Sequence, residues 1–372
     1  MISLWEKESL LNYDIIIIGA GITGLSTAAT LKETQPGLSI LVIEKGTLPI
    51  GASTRNAGFA CFGSVSELLE DIEKLGEEGM CRLVEKRWKG LEKTKNRLGA
   101  STIGFNPCGG YELIRPEDLY AYEKLELLNH LLKDILGLEV FNNLDSEIKN
   151  LGFENINHLI FNPYEGSLHT GKLMSAFWDY CQLLGVRIIT GSEVQSIEKN
   201  GKSVRVLCGE YQFTSKAVGI CTNAFTQKLA SSVSLNPGRG IVMVVKTEKP
   251  ITYQGTFHYD QGYYYFRNFE QKLLFGGARN LDLEAEKTLE FGINPKIKEK
   301  LEADLQEIII PGQSYEIEMA WSGIMAFGES KAPVIQQLDD GIFVGARLGG
   351  MGVAIGSMVG EELANLIISR HF

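Results

Sequence analysis

Paired cysteines, surplus positive charge and unbroken apolar runs are all missing from this 372-residue chain. Each absence removes a class of function. The six cysteines (Cys61, Cys81, Cys108, Cys181, Cys208 and Cys221) are scattered with no CxxC pair. That excludes a zinc-ribbon pattern and fits reduced thiols better than a disulfide framework. The five histidines show no ligand spacing either, so no metal site is expected. Thirty-six Lys and Arg against 46 Asp and Glu leave a formal charge of −10 and a pI of about 5.2. A surface that tracks phosphates needs clustered cations, so nucleic acid is not an expected partner. The longest apolar region, 352–368, is broken by Glu361, Glu362 and Asn365 and does not read as a transmembrane segment. At the start, MISLWEKESLLNYD has acids where a secretory signal needs cations and a long apolar stretch. The expected location is therefore the cytoplasm.

What remains has the composition of a globular protein, 44% hydrophobic and 22% charged. Its length suits two domains. The most informative stretch is Asp14–Gly24, DIIIIGAGITG. A short apolar strand, 15–18, runs into Gly19, Gly21 and Gly24, and LSTAATL continues as a helix. A second apolar run, 40–43, then stops at Glu44. Strand, glycine turn, helix, strand and acid in this order form a dinucleotide-binding unit. Gly19 permits the turn, Gly21 lets the backbone approach a pyrophosphate, and Gly24 lets the helix lie on the strand. The helix N-terminus offers free N–H groups to phosphates. Glu44, about twenty residues on, can accept from both ribose hydroxyls.

Next comes GASTRNAGFACFG (51–63), too apolar for a linker and small enough for backbone amides to approach a planar ligand. Residues 64–98 read as two helices with a capping box at Ser64 and Glu67, the second starting at Met80. Residues 111–114 suggest a strand, 116–136 one amphipathic helix opened by PED, and 141–161 loops with short strands. An α/β texture returns from 166 to 224. A helix ends at Gly185, the strand VRIIT follows, then strands at 193–197, 203–207, 211–213 and 217–221. The last of these ends in Thr222-Asn223-Ala224. From 238 onward successive strands alternate with turns at 260–262 and 270–272, the pattern of an antiparallel sheet and a second domain. Residues 281–306 read as helical, 314–327 as a long strand and 341–345 as a last buried strand. ARLGGMG then opens the closing helix, 353–368.

DIIIIGAGITGLSTA, GASTRNAGF, GVRIITGSEV, CTNA, PGRG, WSGI and VGARLGGMGVAIGSMVGEELANLI occur in the order found in one family. On these motifs, which span nearly the whole chain, the sequence resembles the D-amino-acid-oxidase superfamily of FAD-dependent oxidoreductases, which includes glycine oxidase and sarcosine oxidase. The resemblance implies an α/β fold of two domains, a Rossmann-like FAD-binding domain (1–80, 150–232 and 325–372) and an antiparallel-sheet substrate domain (81–149 and 233–324). It implies noncovalent FAD, with Gly19, Gly21, Ile22, Thr23, Gly24, Glu44 and Lys45 at its ADP half. Ser53, Thr54, Arg55, Asn56, Ala57 and Gly58 would run beside the pyrophosphate and ribityl chain. Val194 would meet the adenine through its backbone, and Thr222 and Ala224 would lie near the cofactor. Arg347, Gly349, Gly350, Met351, Gly352 and Val353 would sit at the flavin ring, where the helix dipole favours negative charge.

The chain departs from the family at one point. Relatives commonly carry an Arg after W-x-G-φ to hold a substrate carboxylate, and here Met325 takes that place. Met cannot form the bidentate pair a carboxylate prefers. Arg279 and Arg267, read as lying on neighbouring strands, are the candidate replacements, with Tyr264 and Tyr265 as active-site candidates. Alternation puts Tyr264 on the face opposite Tyr263 and Tyr265, and either face could be the one that meets the flavin. The implied reaction is oxidation of a C–N bond in a small amine or amino acid. Hydride passes to flavin N5 and the imine left behind hydrolyses, with O2 or a quinone as electron acceptor. A 2-hydroxy-acid dehydrogenase is the first alternative. A demodifying oxidase of a tRNA base and a non-catalytic flavoprotein come after it.

Overall fold

The computed structural model describes residues 2–137 and 139–372. Its first sheet is built on Asn12–Ile18, whose last four residues are all buried. A continuous run of isoleucines suits a strand covered on both faces. This strand pairs in parallel with Tyr211–Ile220 on one side and Ile40–Ile43 on the other. The sheet continues through Ile342–Ala346 to Val334–Asp339 at one edge and ends at Arg187–Ile189 at the other. Val194–Asn200 and Ser203–Cys208 join it as an antiparallel ribbon against Tyr211–Ile220.

Three helices meet over one face of this sheet: Ile22–Thr34, Gly352–His371 and Val65–Leu98. Small residues allow the approach. A Cβ on Gly360 would sit 2.8 Å from the Thr27 nitrogen, and one on Gly90 would sit 2.0 Å from the Ala354 carbonyl oxygen. Ser26 Oγ donates to the Ser357 carbonyl at 3.0 Å. Gly352–His371 is long and apolar enough to cross a membrane by length and composition, but 56% of that window is buried inside the protein.

The second sheet runs Tyr315–Phe327, Asn236–Thr247, Lys272–Gly277, Tyr264–Phe269, Thr256–Tyr259, Gly110–Ile114, His158–Asn162, Asn142–Asn143. Its pairs are antiparallel except that Thr256–Tyr259 and Gly110–Ile114 run parallel. One face packs an aromatic core in which Phe257 and Phe266 stack at 4.7 Å. The other face turns toward the first sheet.

Several expectations need correction. His158–Asn162 pairs with Gly110–Ile114, and residues 325–327 with 236–238, in the second sheet, although the sequence division put both with the first. The expected strands at 211–213 and 217–221 are one strand, Tyr211–Ile220. The kink in Val65–Leu98 is at Gly76 (φ 71°), where only glycine turns left-handed at little cost; the expected break was at Met80. The expected helix at 116–136 is three pieces, Pro116–Asp118, Leu119–Tyr122 and Leu125–Leu136. Val334–Asp339, an edge strand with only half-buried and exposed residues, was not expected at all.

Candidate active site

A cavity of about 470 Å³ lies between the two sheets, within the range of small-molecule sites. At one end the first strand stops at Ile18 and the helix Ile22–Thr34 begins without a side-chain cap. The glycines act as their spacing suggests. A Cβ on Gly24 would lie 1.9 Å from the Gly19 carbonyl oxygen, so helix and strand could not meet. Gly19 is left-handed (φ 103°) and passes close to the Cys221 carbonyl. Above the helix N-terminus, Ser53 Oγ accepts from the Ile22 nitrogen at 3.0 Å, and a Cβ on Gly21 would sit 2.9 Å from that oxygen.

Glu44 is 7% exposed, lines the cavity and is held by two backbone donors. Its Oε2 accepts from the Ala20 nitrogen and its Oε1 from the Gly46 nitrogen, each at 3.0 Å. Each carboxylate oxygen keeps a further lone pair. A dinucleotide fits these residues: a buried carboxylate for a ribose, a helix N-terminus only partly satisfied by Ser53 for phosphates, and a glycine cradle that a Cβ would fill. The helix Gly352–His371 also begins without a side-chain cap, and its N-terminal turns pack on Ile22, where a Cβ on Gly356 would sit 2.7 Å from Ile22 Cγ2. Gly349, Gly350, Met351, Gly352 and Val353 line the wall there.

Of the residues expected to hold a cofactor, Gly19, Gly21, Ile22, Thr23, Glu44, Lys45, Ser53, Arg55, Asn56, Ala57, Val194 and Thr222 also line the cavity. Gly24, Thr54, Gly58, Ala224 and Arg347 do not. Thr54 Oγ1 turns back to the Pro49 carbonyl at 2.7 Å. Gly58 (φ 75°) lets its loop pass the Leu168 carbonyl, which a Cβ would approach to 2.3 Å. Ala224 is buried. Arg347 is left-handed (φ 65°), and its guanidinium leaves the cavity to donate to the Ala332 carbonyl at 2.9 Å.

The WSG segment has a structural explanation. Trp321 Nε1 donates to the Arg55 carbonyl at 2.9 Å, and Arg55 Nη1 donates to the Ser322 carbonyl at 3.0 Å. Gly323 leaves room, since a Cβ there would be 3.3 Å from Arg55 Cβ. The second sheet thus grips the loop that the first sheet presents to the cavity. Met325 lines the cavity between Gly240 and Gly350.

Arg279 lines the cavity and follows the strand Lys272–Gly277 in a short 3₁₀ turn, not on a strand as expected. Its guanidinium lies 3.9 Å from the centre of the Phe327 ring and 5.2 Å from that of Tyr263. Burial pushes its pKa down from the ordinary arginine value. No acid forms an ion pair with it among the described residues, so its charge is free to meet an anion. Arg267 is on a strand, is buried at 4% exposure and does not line the cavity. Burial lowers it to about 10. Tyr264 packs in the aromatic core against Tyr259 at 4.6 Å; the cavity face is that of Tyr263 and Tyr265. Burial pushes the Tyr265 phenol up to about 12, so it stays protonated, and its hydroxyl donates to the Ile241 carbonyl at 3.4 Å.

Sequence reasoning missed the polar groups opposite. Glu67, Glu70, Lys74 and Lys331 line the mouth, where Lys331 pairs with Glu70 at 2.6 Å and Asp71 at 2.7 Å. Burial opposes the Lys331 charge, but the carboxylates of Asp71 and Glu67 carry its pKa above the ordinary value. Cys61 and His258 form part of the floor. Lys331 lies in a loop with no pattern to mark it. His258 had a signal, since alternation sets it opposite the buried Phe257 and Tyr259.

Residues 14–366 match the family described as FAD dependent oxidoreductase. The probable oxidoreductase OrdL of Haemophilus influenzae is 24% identical over 380 residues, covering 95% of this chain and 83% of that protein. The mitochondrial L-2-hydroxyglutarate dehydrogenase of Bos taurus is 25% identical over 275 residues, 68% of this chain and 56% of that one. Glycine oxidase from Geobacillus kaustophilus has a similar structure, with a TM-score of 0.77 at 20% identity over 97% of this chain and 96% of that one. At that identity the likeness is one of fold.

Proposed function

The chain belongs to the FAD-dependent oxidoreductase family, and from that premise we propose that it oxidises a C–N bond of a small amine or amino acid. The observation that carries the substrate class, a small molecule with a carboxylate, is Arg279, a cavity-lining guanidinium with no ion-pair partner among the described residues and set over the Phe327 and Tyr263 rings. A desolvated cation on aromatic faces is a fixed socket for a carboxylate. It replaces the anchor lost at Met325.

FAD, when bound, supplies the two-electron acceptor. Glu44 and the N-terminus of Ile22–Thr34 would hold its ADP half, and residues 349–353 would meet its ring. Arg279 orients the substrate, Tyr265 offers a protonated phenol, and the sheet excludes water. That division of labour suits a reaction that depends mainly on orientation. We assign the FAD-binding domain to 1–98, 150–157, 163–232 and 328–372, and the substrate domain to 99–149, 158–162 and 233–327, keeping the helix Val65–Leu98 whole with the helix Gly352–His371 it packs on. The support is the sheet in which each strand pairs. We further assign noncovalent attachment of FAD, O2 or a quinone as acceptor, and a cytoplasmic location, the last on six free thiols.

A second reading, oxidation of a 2-hydroxy acid, is favoured by the partial match to L-2-hydroxyglutarate dehydrogenase. It uses the same cation for the same carboxylate. Anaerobic mixing with glycine, N-methylglycine, L-proline, a diamine and 2-hydroxyglutarate separates the two by loss of the flavin's visible absorbance. Bleaching by an amine is expected. Bleaching by the hydroxy acid alone would reject C–N oxidation.

A further inference from the structure

His258 and Glu165 form a buried pair at the cavity floor that no step above uses. His258 is 5% exposed and Glu165 2%. The imidazole Nε2 faces Glu165 Oε2 at 3.5 Å, while Glu165 Oε1 has no hydrogen-bond partner among the described residues. The ring is fixed edge-on to Phe59, 5.0 Å between centres. Phe59, Cys61, Tyr265 and His258 all line the cavity, whereas Glu165 stands behind the histidine. The remaining groups around it are the Cys61 thiol, whose Sγ lies within 4.8 Å of ligand atoms of both members, and the cross-strand neighbours Glu112 and Tyr265. Glu67 adds a nearby negative charge.

We propose that His258 is a catalytic residue that takes the proton from the substrate's reacting nitrogen, with Glu165 as its positioning residue; this rests on the C–N reading above. An amine is protonated near neutrality, and hydride leaves the adjacent carbon only when the nitrogen's lone pair is free. The N–H bond of the ammonium breaks, its proton moves to the imidazole Nδ1, the nitrogen not paired with Glu165, and the electron pair stays on the substrate nitrogen. Nε2–H then points at Glu165, whose carboxylate stabilises the imidazolium. A buried carboxylate beside a buried imidazole with no other counter-ion is otherwise a poor core element. Burial opposes the imidazolium, but the Glu165 carboxylate carries His258 above its ordinary value. Burial also raises Glu165. The pair therefore takes up its first proton above the usual histidine range. Only the unprotonated pair accepts from substrate.

Activity should accordingly fall as pH drops through the histidine's raised pKa. With the amine that bleaches the flavin fastest, His258→Asn should lower kcat roughly 10²-fold or more, change KM much less, and remove that acidic limb. Glu165→Gln should shift the limb to lower pH, because burial then acts on the imidazolium alone. Histidine ring NMR of the holoenzyme, assigned by His258→Asn, reads the same shift without turnover. His258 should titrate above the model-compound range in the wild type and below it in Glu165→Gln. Wild-type kcat in His258→Asn, or a His258 titration unmoved by Glu165→Gln, would overturn the dyad while leaving amine oxidation standing. Stoichiometric zinc in the purified protein, lost in His258→Asn, would overturn it in favour of a metal site. Bleaching by 2-hydroxy acids alone overturns both the nitrogen role and the reading beneath it.

Discussion

Replacing Arg279 with methionine tests the centre of the functional assignment. The guanidinium is half-buried and its pKa is lowered by that burial, so its charge is partly shielded from solvent. A charge-assisted bidentate pair formed there is worth about 3–4 kcal/mol when a substrate carboxylate completes it. At about 1.4 kcal/mol per factor of ten, that is a rise in KM of roughly 10²-fold or more. Arg279→Lys should recover only part of it, because an ammonium is a point charge without the planar fork. The variant also loses the stack between Phe327 and Tyr263, on the order of 1–2 kcal/mol of stability. Thermal melting should therefore be measured beside kinetics. FAD content should not change, because Arg279 contacts the second sheet's side of the cavity. The internal control is a substrate pair: an amino acid, and the amine of the same skeleton lacking the carboxylate. The amino acid should lose its advantage and the amine should be indifferent. An unchanged KM for the amino acid in Arg279→Met would refute the socket and favour an uncharged amine.

Two further outcomes follow from buried carboxylates. Glu44→Ala should weaken FAD binding by about 1.5–3 kcal/mol, since the ribose hydroxyls lose their carboxylate acceptor; the Ala20 and Gly46 amides lose theirs too, which lowers stability with or without FAD. Flavin titration of the apoprotein at wild-type affinity would dismiss the residue as a strand end. Glu112 caps the helix Val65–Leu98, accepting from the Val65 nitrogen at 2.7 Å, yet burial lifts its pKa from 4.5 to about 7. The folded state then holds this proton more tightly than the unfolded chain, so the stability it contributes is full below about pH 4.5 and is lost as pH rises to about 7. Glu112→Gln should remove up to about 3 kcal/mol of that pH dependence in urea unfolding at pH 5 and pH 7.5; an unaltered slope would show that the capping amides dominate.

The glycine turn and acid that we assign to FAD were legible in the sequence because their devices are local. A turn that needs Gly19, a close approach that needs Gly24 and an acid at the end of the next strand all lie within one supersecondary unit. The signals for the large antiparallel sheet were local too, in the alternation of each strand. His158–Asn162 failed for the complementary reason: its partner, Gly110–Ile114, is distant in sequence, and a strand of that length has no periodicity that names its sheet. Val334–Asp339 failed because an edge strand with exposed glutamines has the composition of a loop. The kink at Gly76 and the break-up of 116–136 are choices of tertiary packing that propensity does not make.

The part of the cavity we assign to the substrate was harder to read because no segment owns it. Arg279 comes from a 3₁₀ turn, Phe327 from the end of a long strand, Lys331 from a loop, Glu67 and Glu70 from a helix of the other layer, and His258 with its backing Glu165 from parts of the chain far apart in sequence. Alternation could say that Tyr264 opposes Tyr265, but not which of them meets the cavity; that was decided by Tyr259 and the aromatic core on the far side. The hold of Trp321 and Ser322 on Arg55 makes the point from the other direction. Those bonds tie the cofactor loop to the strand that carries Met325, so the residue lost as an anchor lies on the same strand as the loop's tether. Arg279, the cation we propose for the substrate, comes instead from the turn that follows Lys272–Gly277.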